Sequence, residues 1–598
     1  ILHHTPIRPI WESGTSPLDY NPISLGFISL RRGLDKMDFD LKIVGGTIVD
    51  GSGRESYRGD VGILDGRVAA LGKIRGDAAS TLDAGDLAVC PGFVDIHTHY
   101  DAQVMWDRML TISPWHGVTT AVVGNCGFGI APMRPGDRRN MMKTLEKVEG
   151  MSYEALQAGL GLDWPFESFP EYLDAVQTKG TAINLAAFIG HTPLRIFVMG
   201  DDAMEREATV DEVGAMAELV REAMAAGAIG FSTSHAATHN AFDGRPVPSR
   251  FAAFSELDTL VGAMAESGRG ILQCTIGKSL FHDEMSELAR RHDLPVTWTA
   301  LLAGMAGPGS HVKHMNRTAE ERAEGLQIVP QVACRPIMFD FDFGEPFPFE
   351  MRPIFKETMR TDREGKKAIY ADDGFRQAFR ADTDPAAKNM LAGWVQRAVI
   401  SMAPGHGEWE ERALVEVAAE QGKDPFDLAL DLSIDFDFGA RFRIPLVNHN
   451  EAEVRELLSD DNMVVALSDA GAHASQLCDA CYSTHLLGHW SRDEGAMSLE
   501  KAVHMLTQKP AALMGITDRG LLAQGLPADV VVFDPQKIGA TGLTRVHDQP
   551  AGQDRLVSQA KGIHAVIVNG MLIREDNTDA VAPDGDLPGR VLRSSLAA

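Results

Sequence analysis

The sequence has 598 residues, and its 83 acidic against 56 basic side chains give a formal net charge of −27. This length predicts a large domain with a smaller partner, and the negative charge argues against binding to nucleic acid or an anionic membrane surface. Six scattered cysteines form no disulfide framework, and no apolar run approaches the roughly 18 residues of a membrane-spanning helix. We therefore expect a cytoplasmic protein.

Residues 1–36 differ in pattern from the rest of the chain. Their apolar segment, residues 22–28, is followed rather than preceded by Arg31 and Arg32, which argues against a signal peptide. A well-patterned strand begins near Met37. We expect residues 1–36 to be a leader that is either disordered or not native to the chain.

Short apolar runs with glycine turns follow Met37. They are residues 41–44 and 47–50 around Gly45-Gly46, and residues 61–63 and 67–71 around Asp65-Gly66. Both patterns are typical of β-hairpins. Similar runs return at residues 528–533 and 563–568. The two ends of the chain, residues 37–90 and 511–598, are therefore predicted to build one small β-sandwich domain together.

Between these ends, short apolar runs alternate with longer stretches of helical period, which indicates an α/β fold with a parallel sheet. The runs are residues 93–97, 118–123, 182–189, 228–232, 270–275, 295–299, 327–333 and 463–468. Eight runs predict a (β/α)8 TIM barrel over residues 91–510. Functional groups of such a barrel lie at the carboxyl ends of its strands.

His97 ends the first of these runs, and His99 follows it after one residue. Because side chains alternate along a strand, both imidazoles are expected on one face, with Thr98 turned away. Imidazole is the commonest protein ligand for zinc and similar ions. The pair therefore predicts half of a metal site.

Four segments resemble the amidohydrolase superfamily and, within it, the N-acyl-D-amino-acid deacylase (D-aminoacylase) branch. They are residues 91–99, 117–127, 230–234 and 468–471. The resemblance extends from about Met37 to the C-terminus. It implies a metal-dependent hydrolase of carbon–nitrogen bonds other than peptide bonds, with one or two Zn2+ or other divalent ions.

The resemblance also implies roles for single residues. His97 and His99 match the metal-binding histidines, and Asp469 matches the aspartate that touches the metal and moves the proton of the attacking water. Cys126 matches the cysteine that replaces a bridging carbamylated lysine in this branch. A thiolate suits zinc, although a small buried residue in a glycine-rich turn is the other interpretation of Cys126.

The sequence departs from the family at strands five and six. The family has metal-binding histidines there, whereas these strands end in Thr275 and Ala300. We therefore expect one firmly held ion, bound by His97, His99, Asp469 and one of Cys126, His191 or His239. Glu149 is a further candidate carboxylate for the metal shell, although we expect it to be a solvated charge at a helix end.

The substrate side is predicted from bulky side chains near strand ends. The aromatic run 339–349 is either an apolar wall of the site or a surface that packs against another subunit. The candidate substrate contacts are His191, Arg195, Trp298 and Phe343. The arginine that faces the substrate carboxylate in the family is missing, because Ile276 and Gly277 stand in its place.

These features predict an enzyme, expected as a homo-oligomer, that cleaves a small-molecule amide with a bulky apolar or aromatic group, first of all an N-acyl amino acid. A cyclic amide, urea, carbamate or ester is the alternative substrate. A non-catalytic relative that uses the barrel for binding or assembly is the alternative of another class.

Overall fold

The computed structural model describes residues 38–387 and 389–594. The predicted leader, residues 1–36, lies outside these residues. Along the described chain a β-rich segment is followed by a barrel with one large insertion, and then by a second β-rich segment. In this part of the chain, no helix has both the length and the apolar character needed to cross a membrane.

The first segment contains five strands. They are β1 (Phe39–Ile48), β2 (Tyr57–Leu64), β3 (Arg67–Gly72), β4 (Ala78–Asp83) and β5 (Ala88–Pro91). The predicted hairpin between β2 and β3 is confirmed. The hairpin predicted at Gly45-Gly46 is wrong, because β1 runs straight through these residues with a β-bulge between Ile43 and Gly46. The bulge absorbs the glycine pair, and Gly45 adopts a φ of 70° that favours glycine.

Seven parallel strands and eight helices follow. The strands are β6 (Phe93–Asp95), β7 (Val118–Val123), β8 (Asn184–Gly190), β9 (Gly230–Ser234), β10 (Ile271–Thr275), β11 (Val296–Thr299) and β12 (Ile328–Val332). The helices are α1 (Arg138–Glu149), α2 (Tyr153–Gly159), α3 (Phe169–Lys179), α4 (His191–Met199), α5 (Val210–Ala226), α6 (Phe254–Ala265), α7 (His282–His292) and α8 (Val312–Ala323). The strands are buried almost throughout, as expected for a parallel sheet covered by helices.

An insertion separates the seventh barrel strand from the eighth. Its antiparallel sheet has the order β13-β16-β14-β15. These strands are β13 (Ile337–Phe341), β14 (Val399–Met402), β15 (Arg412–Ala413) and β16 (Arg441–Val447). The helices are α9 (Arg363–Ala371), α10 (Asp373–Asp382), α11 (Trp394–Arg397), α12 (Leu414–Glu420) and α13 (Pro425–Asp435).

The aromatic run 339–349 is divided between two environments. Phe343 is fully buried in the core of the insertion, with its ring 5.4 Å from that of Phe341 and 5.9 Å from that of Phe349. Phe339 and Phe347 stack on each other at 5.3 Å and approach the ring of His473 instead. The prediction that Phe343 contacts the substrate is therefore wrong, because other aromatic rings enclose it.

The barrel closes at its eighth strand, β17 (Val464–Val465), which pairs with β12. On the other side Thr98 forms a parallel bridge with Ala470, whose carbonyl accepts the His99 N–H at 2.7 Å. The remaining helices of this region are α14 (Glu451–Ser459), α15 (Tyr482–His485), α16 (Leu499–Leu506) and α17 (Gln508–Leu513). All eight predicted runs coincide with barrel strands, so the TIM-barrel prediction is confirmed.

The last segment completes the small β domain. Its strands are β18 (Val530–Phe533), β19 (Gly539–Ala540), β20 (Thr544–Val546), β21 (Arg555–Val557), β22 (Ala560–Lys561), β23 (Ile563–Val568), β24 (Met571–Glu575) and β25 (Thr578–Asp579). β18 pairs with β5, which joins both ends of the chain in one nine-stranded sheet. Side chains from both halves of this sheet, such as Val61 and Ile567, share one apolar core.

Replacing Phe343 by alanine should lower the free energy of unfolding by about 3–5 kcal/mol, because the change leaves a cavity in a packed core. Phe347 is 37% exposed, and Phe347→Ala should cost less than about 1 kcal/mol. Urea denaturation of both variants measures the difference. Equal stability losses in the two variants would contradict this assignment of the aromatic run.

Candidate metal centre

Four potential metal ligands converge at the carboxyl ends of the barrel strands. His97, His99 and Cys126 are buried, and one ligand atom of each lies within 4.8 Å of the others. Asp469 Oδ1 lies 3.3 Å from His97 Nε2 and 3.8 Å from His99 Nε2. The Cys126 sulfur lies 3.4 Å from His97 Nε2. The structure thus brings together residues from strand ends one, two and eight.

These distances fit one divalent metal ion. Zinc bonds of about 2.0–2.3 Å in a tetrahedron separate neighbouring nitrogen, oxygen and sulfur ligands by roughly 3.3–3.6 Å. The separations of 3.3, 3.4 and 3.8 Å are close to this range. Two imidazoles, a thiol and a carboxylate also form a donor set that zinc accepts.

His97 is oriented by a chain of hydrogen bonds inside the barrel. Gln331 Nε2 donates to Thr297 Oγ1 at 3.3 Å, and the Thr297 hydroxyl donates to the Val329 carbonyl at 2.9 Å. This arrangement turns Gln331 Oε1 towards His97 Nδ1, at 2.7 Å. His97 therefore carries its proton on Nδ1, which leaves the Nε2 lone pair for a metal.

His99 has a carboxylate partner, Glu149, which we expected to be exposed to solvent. Its Nδ1 lies 3.3 Å from Glu149 Oε2, and only 4% of the Glu149 side chain is exposed. The expectation of a solvated charge is wrong, because α1 ends against the loop that follows β17, where the Glu149 carbonyl accepts the His473 N–H. Burial, and next the charge of Asp469, raise the pKa of Glu149 well above its ordinary value.

Cys126 lies in the tight turn after β7. Its backbone N–H donates to Gln273 Oε1 at 2.8 Å, and its φ is 56°. Burial, and next the charge of Glu149, raise the pKa of the Cys126 thiol, whereas hydrogen bonds with Thr275 and Thr299 oppose this rise. A bound cation lowers the pKa of a coordinating thiol, so a metal ion would compensate for burying these groups.

Several of these supporting residues were not found by sequence reasoning. Thr275 and Thr299 end strands five and six, and their hydroxyl oxygens lie 3.4 Å apart beside Cys126. Gln273 and Gln331 hold Cys126 and His97. Their signal in the sequence is an amide side chain in the middle of an apolar strand.

Two predicted site residues belong to a separate buried network. His191 Nδ1 lies 2.9 Å from Thr233 Oγ1, and its Nε2 lies 3.0 Å from Glu256 Oε1. Arg195 is fully buried and pairs with the same Glu256 carboxylate at 2.5 Å. The predictions of His191 as a metal or substrate ligand and of Arg195 as a substrate ligand are wrong, because both His191 ring nitrogens and both Arg195 Nη atoms bind protein partners.

Trp298 is also directed away from the centre. Its ring is fully buried and packs edge-on against Phe281 at 5.6 Å and against His282 of α7 at 5.5 Å. Trp298 therefore faces the helical layer outside the barrel. The prediction that it contacts substrate is wrong, because alternation along β11 turns Thr297 inwards and Trp298 outwards.

His239 lies near the centre but outside the cluster of ligand atoms. Its Nδ1 is 2.7 Å from Ser234 Oγ, and its ring is 5.3 Å from that of Phe128. Burial, and next the charge of His473, lower its pKa to about 3. Of the three candidates for a fourth ligand, the structure brings Cys126 to His97 and His99.

A cleft of about 470 Å³ opens beside the centre. Its lining includes the apolar side chains of Trp106, Leu156, Phe242 and Phe347, and also Gly150 and His473. Gly150 follows Glu149 directly, and His473 follows Asp469 on the loop after the eighth strand. The cleft therefore lies next to the segments that carry the two carboxylates of the centre.

Comparison with known proteins adds to this geometry. Residues 80–573 match the model of the amidohydrolase family. The chain belongs to the amidohydrolase family. It is 30% identical to a D-aminoacylase from Alcaligenes xylosoxydans xylosoxydans over 566 residues, which cover 94% of this chain and 99% of that protein.

Comparison with solved structures supports the same family. A D-aminoacylase structure matches with a TM-score of 0.63 and 26% identity, over 93% of this chain and all of that chain. An N-acyl-D-glutamate deacylase from Bordetella bronchiseptica, complexed with zinc and a phosphonate inhibitor, matches with a TM-score of 0.62 and 26% identity, over 93% of this chain and 99% of that chain. The prediction of a metal-dependent amidohydrolase that cleaves carbon–nitrogen bonds other than peptide bonds is confirmed.

Replacing His97 by alanine should remove the bound metal without unfolding the protein, because the β domain and the barrel core do not depend on the ion. His191→Ala is the matched control: it should cost about 1–3 kcal/mol of stability, because it leaves Glu256 with fewer partners, but should keep the metal. Metal analysis and thermal unfolding of both variants test this. Full metal content in His97→Ala would contradict the site.

Proposed function

We propose that this enzyme hydrolyses N-acyl amino acids and related amides that carry a bulky apolar or aromatic group, with zinc bound by His97, His99, Cys126 and Asp469. The observation that carries the proposal is the approach of Asp469 Oδ1 to both histidine Nε2 atoms, beside a cleft whose lining includes Trp106, Leu156, Phe242 and Phe347. The names of the relatives, which are deacylases of N-acyl-D-amino acids, support the substrate class.

When bound, a divalent metal supplies Lewis acidity that acidifies water and polarises a carbonyl group. The protein supplies the proton transfer. Asp469 keeps 30% of its side chain exposed, whereas Glu149 exposes 4% and faces His99 Nδ1. We assign to Asp469 the acceptance of the proton from the attacking water and its delivery to the leaving nitrogen. Glu149 orients His99.

A single firmly held ion is part of the proposal. Strands five and six end in the hydroxyls of Thr275 and Thr299, which are not among the usual zinc ligands. The four remaining donors suffice to hold one ion, which would have to accept water as an additional ligand to act in hydrolysis. Metal analysis that finds two fully occupied ions in each chain would contradict this part of the proposal.

The apolar preference follows from the cleft and from strand five. Phe242 and Phe347 are each 37% exposed, which is unusual for side chains of this size, and both line the cleft. Ile276 and Gly277 offer no cation for an α-carboxylate. Burial of apolar substrate surface is therefore the main source of binding energy, at roughly 25 cal/mol per Å².

We also propose that the enzyme acts in the cytoplasm as a homo-oligomer. All six cysteines are free thiols in the described part of the chain, which supports a reducing compartment. Symmetric assembly of identical subunits is common among soluble enzymes. The proposed partner is a small-molecule substrate.

Asp469→Asn should keep most of the metal, because an amide oxygen still ligates, but kcat should fall about a hundredfold or more because an amide cannot accept the proton. Asp461→Asn, which changes an exposed carboxylate paired with Lys501, is the matched control and should keep its activity. Metal analysis and steady-state kinetics measure both effects. An unchanged rate in Asp469→Asn would show that another group transfers the proton.

Amides with a long-chain or aryl group should have a higher kcat/KM than N-acetyl-D-methionine. The reason is that burial of apolar surface in the cleft is favourable and that strand five lacks the carboxylate-binding arginine. Kinetic comparison of these substrates tests the proposed function directly. A clear preference for N-acetyl-D-methionine would instead indicate an ordinary D-aminoacylase. Hydrolysis of none of these amides would contradict the proposed function.

A further inference from the structure

One face of α1 forms a wall of the cleft. Lys143, Lys147 and Gly150 are spaced by four and three residues, so they lie on the same face, and all three line the cleft. Gly150 packs against His473, since a Cβ atom there would lie 3.0 Å from His473 Nδ1. At 1.5 Å per residue, Lys143 lies about 10 Å further out along the helix.

The acidic side chains of the cleft have partners. Glu350 lies 3.7 Å from Lys147, Glu345 lies 3.4 Å from Lys366, and Asp554 pairs with Arg545. A Glu146 carboxylate oxygen accepts the backbone N–H of Tyr153 at 3.2 Å. Glu350, Glu345 and Asp554 are therefore paired with cations of the protein, and Glu146 has a hydrogen bond with the backbone.

Lys143 differs from these residues. No carboxylate lies within 4.0 Å of its ammonium group among residues 38–387 and 389–594, and the group instead lies 5.3 Å from the centre of the Phe242 ring. The side chain is half-buried. The chain has a net charge of −27, so acidic partners are plentiful. A cation in a cleft that lies beside an apolar ring and has no acidic partner is therefore unusual in this protein. It offers a binding site for an anion with an apolar neighbour.

We propose that Lys143 determines specificity by binding a carboxylate at the far end of the substrate, about 10 Å along α1 from the Gly150 side of the cleft, where we place the scissile amide. This inference rests on the proposed function, because it assumes that the amide lies at the metal centre. The α-carboxylate of an N-acyl amino acid is separated from the scissile carbonyl by only about 3–4 Å and does not span this distance. The substrate class is therefore an amide whose apolar part ends in a carboxylate.

The test uses anilides of linear dicarboxylic acids, each matched with the anilide whose free end is an uncharged carboxamide. Short linkers and linkers that span about 10 Å are compared. A second series carries the same end groups on the amine side, so that either orientation in the cleft is covered. The variants are Lys143→Met and Lys143→Arg. Arg139→Met is the matched control, because it removes an exposed cation from the same helix outside the cleft.

In the wild type, kcat/KM should favour the carboxylate over the carboxamide only with the long linker. Lys143→Met should lower this ratio about tenfold or more, chiefly through KM, as expected for loss of a charge-assisted hydrogen bond. Lys143→Arg should restore the ratio, and Arg139→Met should leave it unchanged. An unchanged ratio in Lys143→Met, or the same preference with short linkers, would overturn the proposal.

Binding measurements distinguish a failure of this inference from a failure of the proposed function. If the wild type hydrolyses no anilide, the proposed function fails, and calorimetry with the same anilides still tests Lys143. Tighter binding of the long carboxylate than of its carboxamide, lost in Lys143→Met, supports the inference. Equal binding of both compounds overturns it.

Discussion

Closure of the barrel between its first and eighth strands is the constraint on which the metal centre depends. The Thr98–Ala470 bridge and the hydrogen bond from Ser468 Oγ to the His97 carbonyl join segments that are 371 residues apart in sequence. This junction carries His97 and His99 on one side and Asp469 on the other. A shift by one residue on either strand would turn the ligands away from each other, because side chains alternate along a strand.

A bound cation would change the protonation states that burial favours in the centre. Burial lowers the pKa of both His97 and His99 and raises the pKa of Cys126 and Glu149, so the protein environment by itself favours their neutral forms. A bound divalent ion would reverse this balance for the Cys126 thiol and would keep His97 and His99 neutral. The two carboxylates then differ in use, since the more exposed Asp469 faces the Nε2 atoms and the buried Glu149 faces Nδ1 of His99.

The shape of the cleft depends on the insertion between the seventh and eighth strands, which has a hydrophobic core of its own. Its buried rings hold β13 and the following turn in place, and the neighbouring Phe339 and Phe347 then reach His473. The backbone N–H of Asp340 donates to the Gln476 carbonyl at 2.7 Å, which fixes the insertion to the loop after the eighth strand. The core of the insertion and the core of the barrel therefore both determine the shape of the cleft, through their contacts with the loop after the eighth strand.

The sequence by itself determined the barrel, the paired β segments at its two ends, and the grouping of His97, His99 and Asp469. Each of these depends on local periodicity or on strand ends, which adjacent residues encode. Only the tertiary structure decided the surroundings of Glu149, His191, Trp298 and Phe343. These surroundings depend on residues that are distant in sequence. Such residues decide whether a helix-end carboxylate is solvated, whether a histidine is already hydrogen-bonded and whether an aromatic ring is enclosed. No local sequence pattern records those contacts.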